Sequence, residues 1–301
     1  MKREKKQPLR QKRKVIVFLV DGPTELYFLK NQVSALYDMI DPSIEVFFPP
    51  MLEGVKVKPK KEEGEDVEVV EDSLEEEEEV EEIDRHWGDF TSRLDVYPGN
   101  IVRSMNELYF DRFLDAKKLY PKDITEIIHI IDMDGAYIPD EQIVEGENPL
   151  RINKLYYDKD KIITSTVDKT IRRNKRKRDN IDKLLTFPAV LINGKHRPYS
   201  IYFFSSNLDH FAQDDANIIE GKDKVAKAID FASQYEDDPE GFVKAVEAIP
   251  GALNDMNYEE SWDFITERNS NSLERHTNIN ILFRKILEEA KDNKGEENED
   301  D

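Results

Sequence analysis

Residues 15–28 read VIVFLVDGPTELYF, and the fold turns on how they are read. Residues 15–20 form an unbroken apolar run, rich in β-branched side chains, of the length expected for a strand buried on both faces of a parallel sheet. Asp21-Gly22-Pro23-Thr24 breaks the run. Glu25, Leu26, Phe28 and Leu29 restart it at helical spacing. Pro23 fits the turn or the first helical turn, and Thr24 is the expected cap, with the helix running to about Tyr37. The stretch predicts strand, tight turn, helix. Asp21 then falls at the carboxyl end of the strand, where open α/β sheets bind their ligands, and Glu25 on the first turn of the helix faces the same point.

A second buried-strand run, IIHII at residues 127–131, ends in Asp132-Met133-Asp134-Gly135. Residues two apart in an extended chain point the same way, so Asp132 and Asp134 are expected side by side. Carboxylates gathered at the mouth of a parallel sheet suit a hard cation, Mg²⁺ or Mn²⁺.

Asp-Gly-Pro-Thr-Glu after one strand and Asp-Met-Asp after another resemble the toprim domain, in particular the OLD-like and RloB-like nucleases. Their pattern is strand, E-G-x-T/S-E, then a strand ending in D-x-D. Asp21 stands where that pattern has Glu. The resemblance spans roughly residues 15–48 and 101–210. It implies a toprim-like (Rossmann-like) parallel sheet flanked by helices, and a Mg²⁺- or Mn²⁺-dependent nuclease acting on DNA or RNA. In its terms Asp132 and Asp134 are metal ligands, Glu25 a ligand or a group just behind one, and Asp21 a general base or further ligand. Family analogy adds defence against phage or mobile elements, tRNA among the substrates, an ATPase partner subunit and a homo-oligomer. The alternative is a catalytically weakened toprim protein that binds nucleic acid or regulates a partner complex. Topoisomerase and primase roles are disfavoured, because the chain has little room for a DNA-gate domain and no cysteine for a zinc module.

Tyr199-Ser-Ile-Tyr-Phe-Phe204 reads as a third buried strand, followed by Ser205-Ser206-Asn207-Leu208-Asp209-His210. RloB-like proteins carry a similar element, which makes Asp209 a candidate metal ligand and His210 a candidate acid/base or substrate contact. Asn207 is placed to cap the next helix. A helix over residues 170–185 opens with Arg172, Arg173, Lys175, Arg176, Lys177 and Arg178. Arg172, Arg173, Lys175, Arg176 and Arg178 are the expected phosphate contacts, set against the plainer reading of a solvated charged face.

The net charge of −21 at first opposes nucleic-acid binding, but it is unevenly spread. Residues 53–84 carry −12, with sixteen acidic side chains against four lysines. Residues 288–301 carry −6, with eight against two, which leaves −3 for the rest. The expected organisation is a basic tail at 1–14, a toprim-like domain at 15–215 with a disordered acidic insertion at 53–86, a helical C-terminal region at 216–292 and an acidic tail at 293–301. Residues 44–48 read as another strand, 101–120 as an amphipathic helix and 271–290 as the last helix. There is no cysteine, no apolar stretch of membrane-spanning length and no signal-peptide pattern, so a soluble cytoplasmic protein is expected.

Overall fold

A computed structural model describes residues 12–51, 89–147, 155–217 and 221–297. The expected acidic insertion and most of the basic tail lie outside the described residues. The chain begins with β1 (Lys14–Val20), α1 (Pro23–Ile40) and β2 (Ile44–Phe47). It continues after residue 88 with α2 (Ile101–Met105), a π-helical turn (Asn106–Phe110), α3 (Asp111–Lys117) and β3 (Ile124–Asp132). Three short strands follow: β4 (Ile143–Glu145), β5 (Tyr156–Tyr157) and β6 (Ile162–Thr164). Next come α4 (Val167–Leu185), β7 (Ala189–Ile192) and β8 (Lys195–Phe204), then α5 (Leu208–Gln213), α6 (Gly221–Ser233), α7 (Pro239–Ala248), α8 (Tyr258–Thr266) and α9 (Ile279–Glu297).

The main sheet has the order β2-β1-β3-β8-β7. Only the β7–β8 pair is antiparallel. The protein is therefore an α/β fold with a mostly parallel sheet, helices on both faces and a helical C-terminal region. Period-2 alternation divides the two apolar runs between two cores. Val15, Val17, Leu19, Ile127 and Ile131 pack on one face with the helices of residues 101–117, with α4 and with α8. Ile16, Phe18, Val20, Ile128 and Ile130 pack on the other with α1, α6, α7 and α9. The C-terminal helices thus complete the sheet's own core.

Several boundaries differ from expectation, two of them for a clear physical reason. Gly22, not Thr24, precedes the first turn of α1, because Pro23 with its fixed φ already occupies the first helical position; having no side chain, Gly22 makes no cap bond. The last helix starts at Ile279 rather than near 271. Residues before it lie along the end of β8, where Thr277 Oγ1 donates to the Phe203 carbonyl at 2.6 Å and Asn278 Oδ1 accepts the Phe203 N–H at 2.9 Å. Helix α9 also runs to Glu297, into the expected acidic tail. Among the described residues no helix is long and apolar enough to cross a membrane.

Candidate metal centre

Strands β1 and β3 are parallel neighbours, so their carboxyl ends share one rim of the sheet. The chain leaves β1 for β2 on one side and returns to β3 on the other. That rim is the topological switch point, where two connections diverge and open a crevice. Asp21 follows β1 and Asp132 ends β3. Asp21 Oδ2 accepts the backbone N–H of Asp132 at 3.1 Å, which ties the two strand ends together. Asp21 Oδ1 is buried and has no hydrogen-bond partner. Glu25, on the first turn of α1, is 5% exposed. A Cβ on Gly22 would stand 2.7 Å from Glu25 Oε2, so the glycine leaves room for that carboxylate over the turn.

Asp132 and Asp134 do not lie side by side on a strand. The strand stops at Asp132, and Asp134 takes a left-handed conformation with φ of 51°. The turn is held by β8 and its exit: Met133 N–H donates to the Phe204 carbonyl at 2.8 Å and Asp134 N–H to the Ser206 carbonyl at 2.9 Å. The two carboxylates consequently find different partners. Asp132 Oδ1 accepts the Leu208 N–H at 3.2 Å. Asp134 Oδ1 accepts the Tyr157 hydroxyl at 3.0 Å, and its Oδ2 accepts the Lys177 ammonium at 2.6 Å. The Arg173 guanidinium donates to the Asp134 carbonyl at 3.1 Å. A left-handed non-glycine residue costs about 1–2 kcal/mol, and these bonds offset it.

Electrostatics divide the rim. Burial, then the charges of Glu25, Asp134 and Asp21, push the Asp132 carboxyl well above the usual carboxylate range. Burial, followed by the charge of Asp89, does the same to Asp21, with Lys177 and the Asp132 N–H opposing. Burial raises Glu25 to about 7, with its own backbone N–H opposing and Asp209 adding to the rise. Asp89 behaves in the opposite way. Its burial is outweighed by the Lys177 ammonium 2.7 Å away and by bonds from Ser92 and Thr91, which bring it down to about 2.

Asp209 is 4% exposed and pairs with Lys224 of α6 at 2.7 Å. It joins the rim through the charge it places on Glu25. His210 bonds through Nδ1 to Ser206 Oγ at 2.5 Å, and burial lowers its pKa. Asn207 caps α5 as expected, accepting the His210 N–H at 2.9 Å.

The basic run is distributed around α4 by helical geometry. Of the five expected phosphate contacts, Arg173 reaches the rim. Arg172 is exposed. Lys175 is exposed and pairs with Asp179 at 2.6 Å, Arg176 donates to the Ser92 carbonyl at 2.8 Å, and Arg178 donates to the Ala136 carbonyl at 2.7 Å and reaches Asp140 at 3.4 Å. Lys177, which the sequence reading left out, is the cation that contacts a rim carboxylate, and it is fully buried. A signal for it was present: Thr170, Asn174, Lys177, Ile181 and Leu184 recur at helical spacing on the buried stripe of α4, and a lysine on such a stripe needs carboxylate partners. Asp89, Tyr157 and Lys224 carried no such signal, because each reaches the site from a segment without a motif.

The donor set is oxygen only, one buried oxygen lacks a partner, and burial and like-charged neighbours make three carboxylates hold protons more tightly than usual. That chemistry fits a hard divalent cation. The side chains are not drawn in as a ready chelate: among the described residues, no group of three or more His, Cys, Asp or Glu is arranged to hold a metal ion. Comparison with protein-family models, curated proteins and solved structures finds no match.

Proposed function

We propose that the chain is a metal-dependent phosphodiesterase of toprim type that hydrolyses DNA or RNA. The observation that supports this reading is the bond from the Asp132 N–H to Asp21 Oδ2 at the β1/β3 switch point, with Glu25 and Asp134 within electrostatic reach of Asp132. Glu25, Asp132 and Asp134 would hold Mg²⁺ or Mn²⁺, with Asp209 a further candidate ligand. The bound cation would neutralise phosphoryl oxygens and lower the pKa of a hydrolytic water.

The chain's own groups supply the rest. Asp21, aimed by the Asp132 N–H, is placed to take a proton from an attacking water. Arg173 puts a fixed positive charge beside Asp134, where the phosphate of a bound strand would lie. Roles in phage or mobile-element defence, tRNA cleavage and work with an ATPase partner rest on the family resemblance.

Purified full-length chain, incubated with DNA and RNA including tRNA in Mg²⁺ or Mn²⁺, is expected to cut at least one substrate. Asp132→Ala is expected to lower cutting at least about a hundredfold, the range for removal of a group that stabilises transition-state charge. Retained cutting by folded Asp132→Ala overturns the assignment. Binding of nucleic acid without cutting in either metal favours the weakened, regulatory reading.

A further inference from the structure

Resting on the metal-site reading above, we propose that Lys177 is a tethered cation that competes with the divalent ion for Asp134, and that Asp89 is the positioning residue that receives the ammonium when the ion binds. Both oxygens of Asp134 are engaged, Oδ1 by the Tyr157 hydroxyl and Oδ2 by Lys177. A divalent cation that takes Asp134 as a ligand through Oδ2 meets the ammonium on the same oxygen, and the repulsion between the two cations favours displacing the ammonium. Lys177 is fully buried, so the displaced charge needs a carboxylate already in place.

Asp89 is built for that task. Its Oδ1 takes three donors, Thr91 N–H at 3.0 Å, Thr91 Oγ1 at 2.6 Å and Ser92 N–H at 3.1 Å. These fix the carboxylate and leave Oδ2 to Lys177 at 2.7 Å. Arg173, one turn before Lys177, holds the Asp134 carbonyl and repels the ammonium, which discourages a retreat in that direction. Exchange then removes one of the two carboxylate contacts of Lys177, not both.

The test is Mn²⁺ binding, measured by calorimetry and by the spin resonance of the free ion, on the full chain and two variants. Lys177→Met is expected to bind Mn²⁺ about tenfold or more tightly than wild type, since no ammonium holds Asp134. Asp89→Asn is expected to bind it about tenfold or more weakly, since displacement would strand a buried ammonium. A purely structural role for the triad would loosen the site in both variants and move them in the same direction. Lys177→Met binding equal to or weaker than wild type overturns the proposal. If Lys177→Met does not fold, Asp89→Asn decides alone: binding as tight as wild type overturns it. Wild type that binds Mn²⁺ with the variants in the wrong order removes only this proposal. Absence of Mn²⁺ binding in all three proteins removes the metal reading, and this proposal with it.

Discussion

The two halves of the rim show what one lysine does to a buried carboxylate. Asp89 shares Lys177 with Asp134 and is held down to about 2 despite its burial. Glu25, close by on the same rim, is raised to about 7, and Asp21 and Asp132 rise too. The Lys177 side is electrostatically closed and holds its own counter-ion. The Asp21–Glu25–Asp132 side is open: it makes no ion pair among the described residues, and Lys177 and Lys224 act on it only from a distance. The difference teaches that the site is not a uniform acidic patch. One half comes with a cation of its own, and the other is left to whatever cation or proton arrives.

Four substitutions or titrations test that contrast. The largest effect is expected from Lys177→Met in chelator. It leaves the partly buried carboxylates of Asp89 and Asp134 without their cation, at a cost of about 3 kcal/mol in denaturant unfolding, the low end for a broken buried pair. Lys175→Met, two residues away on an exposed pair, is expected to cost about 0–1 kcal/mol. Equal losses for the two lysines would erase the distinction between a site cation and a solvated one.

The open half predicts a pH dependence of stability. Glu25 titrates at about 4.5 when unfolded and about 7 when folded, so the native state binds its proton more tightly. The stability this contributes is complete below pH 4.5 and is lost as pH rises through 7, a change of about 3 kcal/mol. Thermal melts of metal-free protein should therefore fall across that window, and Glu25→Gln should flatten the slope. Asp89 acts with the opposite sign and only in acid, its contribution fading as pH falls from 3.8 towards 2. Stability that rises between pH 4.5 and 7 would show that burial does not hold the Glu25 proton in the folded chain.

Gly135→Ala probes the turn that separates Asp134 from Asp132. Gly135 has φ of 65°, and an added Cβ would stand 2.4 Å from Leu273 Cδ2. A loss of about 2–3 kcal/mol is expected, against about 1 kcal/mol for Gly194→Ala, whose φ is 81° with open space around it. Comparable melting temperatures for the two variants would mean that the turn is not tightly packed. The smallest effect is expected from Asn207→Ala. Losing the α5 cap should cost about 1 kcal/mol and weaken the hold of the Leu208 N–H on Asp132. Unchanged melting would show that the cap is not needed to keep Asp132 in place.

Much of this was legible in the chain. The apolar runs at 15–20 and 127–131 are local, dense signals, and both form central strands. Their ends place Asp21 and Asp132 on one rim because parallel neighbours finish at the same edge. The basic run at 172–178 was legible as a helix but not as a site. The choice among its cations depended on which face α4 turns to Asp134, and there Lys177 and Arg173 answer while Lys175 and Arg178 bond elsewhere.

The sequence by itself determined the four parallel strands of the main sheet, their order along the chain and the carboxylates that close two of them, because hydrophobic periodicity and turn chemistry act over a few residues. Only the tertiary structure decided that Asp134 leaves the strand in a left-handed turn, that Asp89 approaches from 88 positions before Lys177, and that Tyr157 reaches in from a small second sheet. The physical reason is that a buried charge is placed by whatever partner the packing of distant segments brings within 3 Å, and no local pattern encodes that distance.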